Sequence, residues 1–480
     1  MPFEREAASS LGGETFLANE QIREAIARCE ASFPDPEPHR ARIRAQAIDV
    51  TSRISRPERG LILACDGSRY EGAAREDYPS VKCGFLKFSQ VMIAIPELLD
   101  LNKGDGFVDQ IGAAKITRDS NAYGLALSGS GFSLNGLSPM STFRRFLFDA
   151  FKAEAFKASW GADLYDTLVE LLRRLGRVEG DASGSFVVIQ KGRMKNPVTG
   201  KTIEDDVRIP VDIGYAPMPG APGEALYISD VLRLHDVFVE EGDNISCYQR
   251  AMNALEHMLL AHVIRALDSD PQYRQALEYM VVLMDGPLSI NGEPAVFHRP
   301  IMELIYDVSQ KFASPERQPL ILGVAKTGPI VEHGDAIAPI LRDGPFDRRA
   351  LLIPIDDAYR YSHIDKGKKD PERNFGDGTH YGQDFLYRSR QGRMFHLCIA
   401  YPFRSKRGFD FQSEKVKIEN YGVLIDRAIS ALDLLETPLY ENANIAQHLA
   451  NTYASIAKRP TGRNIDAFLK GLLRASGATL

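Results

Sequence analysis

Two apolar stretches of the sequence each end in an aspartate followed by a glycine. In GLILACDGSR the aspartate is Asp66, and in YMVVLMDGPL it is Asp285. The glycine permits a turn that a Cβ atom would hinder, so each aspartate is expected where a buried strand leaves the core. That edge is where α/β sheets place their reactive groups. One Asp-Gly pair is only a common turn signal, but two with the same apolar lead indicate a shared role.

A third carboxylate, Glu256, interrupts the apolar face of a long helix predicted over residues 247–270. It lies four residues after Met252 and four before Leu260, which belong to the apolar stripe of that helix. A carboxylate on a buried face is unfavourable unless it is paired, protonated or bound to a metal ion. Glu256 therefore needs an explanation.

Two explanations of Glu256 stay open from the residues alone. Arg250 or Arg265 on the same helix can pair with it as a purely structural partner. Alternatively, Glu256 faces Asp66 and Asp285, and the three carboxylates hold divalent cations. Ligands of this kind, without cysteine or histidine pairs, suit Mg²⁺ or Mn²⁺. Two such ions can activate a water and stabilise the attacking and leaving oxygens of phosphodiester hydrolysis.

The bulk properties of the chain are those of an ordinary soluble protein. It has 480 residues, 44% hydrophobic and 25% charged, with a mean hydropathy of −0.22 and a net charge of −6. Any nucleic-acid site is therefore a local basic surface. No stretch predicts a signal peptide or a membrane span, and no cysteines show CxxC spacing, so a cytoplasmic protein is expected. The five cysteines are Cys29, Cys65, Cys83, Cys247 and Cys398.

Helical and strand patterns alternate along the chain, which predicts an α/β fold with a central mixed β-sheet flanked by helices. Residues 1–55 are predicted to form an N-terminal helical region, and residues 56–130 and 246–460 the two pieces of one core. The turn-rich residues 131–245 are interpreted as a large α+β insertion between those pieces. Residues 461–480 are predicted to be a C-terminal tail or helix.

The motifs ACDGSR and LMDGPL, with the helix that carries Glu256 between them, resemble the NurA nuclease family. The resemblance extends over residues 60–105 and 246–450. In that family, whose fold is RNase H-like, an aspartate of a DGS motif, a glutamate of a following helix and an aspartate of a second DG motif bind catalytic manganese. The resemblance thus implies an RNase H-like core in which Asp66, Glu256 and Asp285 are ligands of a two-metal Mn²⁺ or Mg²⁺ site.

The resemblance also suggests other catalytic residues. LILGVAKT places Lys326 where the family often has a lysine, although a surface lysine is an equal alternative. Near its C-terminus the family has a tyrosine-proline pair followed by an alanine-histidine pair. Here Thr437 precedes the proline, and Asn444 stands where the histidine is expected. Either Tyr440 and His448 substitute through a shifted register, or that part of the site has been lost.

A basic segment rich in tyrosine, YRYSHIDKGKKDPER, and two arginine-containing stretches after it predict a surface for DNA phosphates. Tyr359, Tyr361 or Phe409 is predicted to stack on bases. The alternative is a solvated charged loop. The residues predicted to contact DNA are Lys366, Lys368, Lys369, Arg404 and Arg407.

Three functions are compatible with these patterns. The leading hypothesis is a metal-dependent deoxyribonuclease acting on DNA ends or single strands. The resemblance implies a homodimer that works with a HerA-type hexameric ATPase in DNA end processing or phage defence, away from membranes. The second hypothesis is a catalytically weak DNA-binding adaptor that regulates such an ATPase. An actin-like ATPase or sugar kinase also begins with an Asp-Gly strand, but the glycine-rich phosphate loops it needs are not found in the right places.

Overall fold

The computed structural model describes Glu20, Gln21, Glu24 and Arg28 and the ranges 36–73, 78–101, 121–134, 136–158, 161–181, 184–342, 344–365, 374–436 and 444–456. The chain divides into two compact units, residues 1–47 and residues 48–480. Within the first unit, Glu20, Gln21 and Glu24 are helical, and a further helix occupies residues 36–46. All described strands and the remaining described helices belong to the second unit.

The strands are numbered in chain order. They are β1 (Ile48–Asp49), β2 (Leu61–Ala73), β3 (Lys82–Ala94), β4 (Asn121–Ser128), β5 (Val178–Asp181), β6 (Gly184–Ile189), β7 (Val207–Pro210), β8 (Tyr215–Pro217), β9 (Ala225–Tyr227), β10 (Val281–Asp285), β11 (Leu320–Ala325), β12 (Leu351–Pro354), β13 (Gly382–Arg388) and β14 (Met394–Ala400).

The α-helices are numbered in the same way. They are α1 (Pro36–Gln46), α2 (Ile95–Leu101), α3 (Pro139–Phe151), α4 (Leu164–Arg174), α5 (Ile245–Asp268), α6 (Pro271–Arg274), α7 (His298–Ser309), α8 (Pro329–Ile337), α9 (Asp357–Tyr359), α10 (Phe411–Glu414), α11 (Val423–Leu435) and α12 (Ile445–Ala454).

Nine strands form one mixed sheet in the order β1-β12-β13-β14-β11-β10-β2-β3-β4. The three central strands, β2, β10 and β11, run parallel, and every other neighbouring pair is antiparallel. Met284 pairs with Cys65, and Asp285 pairs with Val324. The register therefore brings the two aspartates of the Asp-Gly pairs to the same level on adjacent strands.

The two Asp-Gly pairs differ in structure, which corrects one prediction. Strand β10 ends at Asp285, and Gly286 adopts φ 89° in the turn that follows, as predicted. Strand β2 does not end at Asp66, because it continues to Ala73 as one arm of a long hairpin with β3. Gly67 is thus a residue within a strand, and its lack of a side chain needs a reason other than a turn.

Helices cover both faces of the sheet, and the alternation of side chains along each strand supplies two separate cores. Leu63 and Cys65 of β2 join the hydrophobic cluster that contains α5, whereas Ile62 and Ala64 join the cluster that contains α11 and α12. The predicted α/β class, with a large mixed sheet flanked by helices, is therefore confirmed.

Residues 131–245 combine helices α3 and α4 with a three-stranded sheet, β5-β6-β7, and the pair β8-β9. A buried ion pair joins two parts of this segment. The Arg144 guanidinium donates to both carboxylate oxygens of Asp230 at 2.9 and 2.6 Å, and both side chains are 1% exposed. Apolar residues of this segment belong to the same hydrophobic cluster as α5.

Four of the cysteines, Cys65, Cys83, Cys247 and Cys398, are buried free thiols. Burial raises the thiol pKa of Cys65 and of Cys83 to about 12, which leaves both protonated and unreactive at neutral pH. Throughout the ranges that the structure describes, no helix combines the length and apolarity needed to cross a lipid bilayer.

Candidate active site: carboxylates at the centre of the sheet

Three residues of adjacent parallel strands meet on one face of the sheet. Asp66 and Asp285 each continue the alternation that points residues toward the face covered by α11 and α12, and Lys326 directly follows β11. The Lys326 ammonium donates to Asp285 Oδ2 at 3.2 Å and lies 3.5 Å from Asp66 Oδ2. The structure thus brings these three residues together, with the lysine bonded to the carboxylates.

Glu256 approaches this cluster from the opposite face of the sheet. It lies on α5, and its carboxylate packs against the α-carbon of Gly67. A Cβ atom added at Gly67 would overlap Glu256 Oε1 and would lie 3.0 Å from Glu256 Cδ and 3.1 Å from Met252 Cγ. Gly67 therefore provides the space through which the glutamate reaches β2.

Burial and the negative charges of the carboxylates raise the pKa values of Asp66 and Glu256. Burial raises the pKa of Asp66 to about 6, with a further upward contribution from the Asp285 charge, while Lys326 lowers it. Burial also raises the pKa of Glu256 well above its usual value, and the charges of Asp66 and Asp285 act in the same direction. Such shifts mark a site with more negative charge than its single lysine compensates.

The residues fit a divalent cation in donor chemistry. Three carboxylates supply the all-oxygen ligands that Mg²⁺ and Mn²⁺ prefer, and their mutual repulsion favours a bound cation. Within the described residues, however, no group of three or more histidine, cysteine, aspartate or glutamate side chains is arranged to hold a metal ion. In this arrangement the Lys326 ammonium interacts with both aspartates, and Glu256 approaches from the other face of the sheet.

The alternative structural partners of Glu256 lie elsewhere. Arg265 donates to Thr167 Oγ1 at 3.3 Å, and Arg250 packs its guanidinium beside Gly292. Within the ranges described, neither arginine forms an ion pair with Glu256. The purely structural explanation of this glutamate through those arginines is therefore not supported.

Helix α12 carries a site residue that the sequence analysis missed. Asn444 is the N-cap of the helix and accepts a hydrogen bond from the Gln447 backbone at 2.9 Å. The Gln447 side chain donates to the carbonyl of Val324 at 2.8 Å and lies 3.4 Å from that of Met284. Because these carbonyls flank Asp285 on β10 and β11, Gln447 fixes the strand ends that carry the cluster. An asparagine three residues before a glutamine is a capping signal and could have identified this pair.

His448 lies on the same helix, one residue further on. Its pKa is lowered, first by burial and then by the positive charge of Lys326. The role predicted for His448 stays a prediction. Tyr440, its predicted companion, lies outside the described residues.

The predicted DNA-contacting residues have different outcomes. Lys366, Lys368 and Lys369 lie outside the described residues. Arg404 is exposed but pairs with Asp307, to which its Nε donates at 2.8 Å. Arg407 is exposed. Neither position contradicts a role in DNA binding.

Of the three predicted stacking residues, Tyr359 cannot stack on a base from its present position. It is 1% exposed, and its hydroxyl is hydrogen-bonded to His333 Nε2 at 2.8 Å. Phe409 is 42% exposed and packs its ring against Phe403 and Phe411. Phe409 is therefore the better candidate for such a contact.

Comparison with known proteins gives structural likenesses only. No family model matches the sequence, and no curated protein matches it significantly. The NurA nuclease from Sulfolobus solfataricus has a TM-score of 0.38 and 9% identity, covering 98% of this chain and 98% of that chain. A second NurA structure has a TM-score of 0.27 and 11% identity, covering 97% and 98% of the two chains.

A third NurA structure, solved with manganese, has a TM-score of 0.29 and 12% identity and covers 96% of each chain. NurA is also the family that the Asp-Gly motifs of this sequence resemble. At TM-scores this low the likeness assigns no role to any residue.

Proposed function

We propose that this protein is a divalent-metal-dependent nuclease that hydrolyses phosphodiester bonds of DNA ends or single strands. The observation that carries the proposal is the meeting of Asp66, Asp285 and Lys326 on adjacent strands, with the Glu256 carboxylate against Gly67, the neighbour of Asp66. A buried excess of carboxylates beside one lysine is suited to binding cations and, through them, phosphates.

The proposed framework is an RNase H-like core. Its five strands would be β4, β3, β2, β10 and β11, in which an antiparallel meander continues into two parallel strands. This order places the acidic residues on the central strands. Residues 131–245 would then be an insertion between the meander and α5.

In the proposed mechanism, Asp66, Asp285 and Glu256 would hold one or two Mn²⁺ or Mg²⁺ ions, which would supply Lewis-acid stabilisation of the charged phosphate. Lys326 would donate hydrogen bonds to a substrate phosphate oxygen once its own carboxylate partners are compensated. His448, with its lowered pKa, is neutral at pH 7 and able to accept a proton. Gln447 would hold the ends of β10 and β11 in register during the reaction.

The test is cleavage of end-labelled single- and double-stranded DNA with Mn²⁺, Mg²⁺ or EDTA. We expect metal-dependent cleavage that falls by roughly 100-fold or more in Asp66→Asn, Asp285→Asn and Glu256→Gln. The matched control is Asp149→Asn, which removes an exposed carboxylate paired with Arg145. Cleavage that persists in EDTA, or that is equal in Asp66→Asn and wild type, would exclude the proposed site.

A second candidate function is an adaptor that binds DNA without cutting it. It is favoured by Asn444, which caps α12 at the position where a catalytic histidine is expected from the resemblance. Calorimetric titration with Mn²⁺ separates the two functions. DNA binding without Mn²⁺ binding or cleavage would support the adaptor.

The proposed partners rest on the resemblance of the sequence motifs to NurA. We propose that the chain forms a homodimer and acts with a HerA-type hexameric ATPase in DNA end processing or phage defence. Light scattering after gel filtration measures the dimer, and cleavage assays with and without such an ATPase measure the partnership. A monomeric protein whose cleavage rate is the same with and without the ATPase would contradict both the dimer and the partnership.

A further inference from the structure

A cavity of about 190 Å³ opens on residues 131–245, away from the carboxylate cluster. Its polar lining is unusually rich in arginine. The polar residues that line it are Arg177, Gln190, Arg193, Arg233 and Glu293. The cavity therefore has the character of an anion site.

The backbone holds two of these arginines in fixed positions. Arg177 extends the β5-β6 hairpin, because its carbonyl accepts the Val188 N–H at 2.8 Å. Arg193 lies in the turn after β6, where its N–H donates to the Gln190 carbonyl at 3.2 Å. The next turn bond joins Gly192 N–H to the Ile203 carbonyl at 2.8 Å. The main chain of Arg177 is thus held against β6, and that of Arg193 is held in a hydrogen-bonded turn of the connection between β6 and β7.

The charges around the cavity do not balance. Arg233 is compensated, because it pairs with Glu293 at 2.6 Å and with Asp236 at 2.5 Å. Among the described residues, Arg177 and Arg193 have no side-chain ion pair or hydrogen bond. Arg177 is half-buried, and burial followed by the charges of Arg193 and Arg299 lowers its pKa. Two guanidiniums therefore face one cavity with no carboxylate among the described residues left to neutralise them.

We propose that Arg177 and Arg193 bind phosphate groups of a nucleic-acid strand. The planar fork of a guanidinium matches two phosphate oxygens, and a phosphate would offset both the repulsion and the lost hydration of Arg177. The proposal extends the proposed nuclease function by assigning a strand-binding surface to residues 131–245.

The chain connects this cavity to the carboxylate cluster. After Asp285 the backbone follows α5, where Asn253 donates to the Ser289 carbonyl at 3.3 Å and accepts the Asn291 N–H at 3.1 Å. It then reaches Glu293 at the cavity wall. The segment from Asp285 to Glu293 therefore runs from the carboxylate cluster to the wall of the cavity.

The experiment is fluorescence anisotropy with a short labelled single-stranded DNA, in EDTA and on the Asp66→Asn background so that cleavage does not interfere. We expect Arg177→Gln and Arg193→Gln each to weaken binding roughly tenfold and to reduce the slope of log Kd against log salt by about 0.7. The control is Arg145→Gln, which removes the same charge from the same segment but from an exposed pair with Asp149. Its Kd should stay within about twofold of the parent value.

Unchanged affinity in both arginine variants would overturn the proposal, and Arg193 is exposed, so its variant tests the surface even if Arg177→Gln folds poorly. A polyglutamate competitor that displaces the DNA from the parent but not from the arginine variants would instead assign the cavity to acidic polypeptides. The outcome is independent of catalysis. DNA binding that depends on the arginines, without any metal-dependent cleavage, would retain this inference and reject the nuclease. Metal-dependent cleavage, with DNA binding unchanged in the arginine variants, would reject this inference and retain the nuclease.

Discussion

At the scale of single residues, the buried carboxylates of the cluster reduce stability, because Lys326 offsets only part of their negative charge. Asp66 is 5% exposed, and it forms an ion pair with Lys326, which also pairs with Asp285. Burying carboxylates in this way costs folding free energy, which a protein tolerates where the charges serve a function. The same burial raises the pKa of Asp66 from 3.8 to about 6, with a further upward contribution from the charge of Asp285.

We predict that Asp66→Asn stabilises the metal-free protein at neutral pH. A carboxyl with a raised pKa in the folded state favours folding when protonated, and this contribution is lost as the pH rises from about 4 through about 6. The asparagine variant should therefore unfold like wild type below about pH 4 and should be more stable above pH 6, by up to about 3 kcal/mol. Urea unfolding in EDTA across this pH range measures the difference. A wild type as stable as the variant at pH 7 would contradict the proposed repulsion.

Gly67→Ala tests the close approach of Glu256 to β2. The new methyl group would overlap the glutamate carboxylate, which is the flexible end of a side chain and is expected to move aside. We predict a loss of stability of about 1–2 kcal/mol but a loss of cleavage of roughly tenfold or more, because the displaced group belongs to the site.

The matched control for this variant is Gly124→Ala. Gly124 also lies within a strand, and a Cβ atom there would meet no atom within 4 Å. Thermal melts and cleavage rates of the two variants should differ clearly. Equal melting temperatures and equal cleavage rates would mean that the close contact of Gly67 with Glu256 contributes to neither stability nor cleavage.

The sequence singles out individual residues where their chemical type is the signal. Carboxylates at the ends of apolar runs drew attention to Asp66 and Asp285, whereas Lys326 was proposed only from the family resemblance, and the structure brings the three side chains together. Gln447 was missed, because a glutamine that bonds main-chain carbonyls leaves no motif beyond its capping partner Asn444.

At the scale of elements, α12 is hydrogen-bonded to all three strands that position the site, β2, β10 and β11. Its N-terminal turn is fixed by Asn444, which is fully buried, and Gln447 is 1% exposed. Farther along the helix, the Ala450 carbonyl accepts the Ser89 hydroxyl at 2.7 Å, and the Ala454 carbonyl accepts the Ser68 hydroxyl. The helix is thus bonded to β2 and β3 as well as to β10 and β11.

We predict that Gln447→Ala loosens this connection. It removes the donor to the Val324 carbonyl and should lower the free energy of unfolding by about 1–3 kcal/mol. We expect kcat to fall while KM changes little, since the residue positions Asp285 without touching substrate. Asn451→Ala, an exposed change on the same helix, is the control.

A second variant, Gln447→Glu, distinguishes hydrogen bonding from packing. Glutamate has the same shape but presents a charged acceptor to two carbonyl oxygens, so it should be at least as harmful as alanine at pH 7. A glutamate variant as stable as wild type would show that packing alone holds α12.

The elements themselves were predictable to different degrees. Helix α5, predicted over residues 247–270, is observed at Ile245–Asp268, because its long apolar stripe is a strong helical signal. The end of β10 was predicted correctly from its glycine. The length of β2 was not predicted correctly. Gly67 allows close packing against Glu256, whereas Gly286 forms a turn, and a single sequence cannot distinguish these two roles of glycine.

At the scale of the whole molecule, residues 131–245 share a core with the sheet. Leu171 of α4 and Leu255 of α5 are both buried in the hydrophobic cluster that includes Leu63 of β2. Arg174 of α4 also pairs with Asp307 of α7 at 2.7 Å. A segment that buries its apolar side chains against the sheet is expected to fold and unfold with it.

We therefore predict a single cooperative transition for residues 48–480. The only tryptophan of the chain, Trp160, lies within residues 131–245 of the sequence, so its fluorescence reports on that segment while circular dichroism reports on the whole chain. The two unfolding curves in urea should coincide. Leu171→Ala and Leu255→Ala should shift both curves together, each by about 2–5 kcal/mol, because each leaves a cavity in the same core.

The control for this comparison is Val198→Ala, since Val198 is 43% exposed in the same segment and should shift neither curve. A fluorescence transition that moves alone in Leu171→Ala would show that residues 131–245 fold independently of the sheet. In that case the phosphate-binding surface proposed for Arg177 and Arg193 would move relative to the carboxylates, and a strand could not be held at both places with a fixed spacing. Coincident curves would instead show that residues 131–245 and the sheet unfold as one cooperative unit.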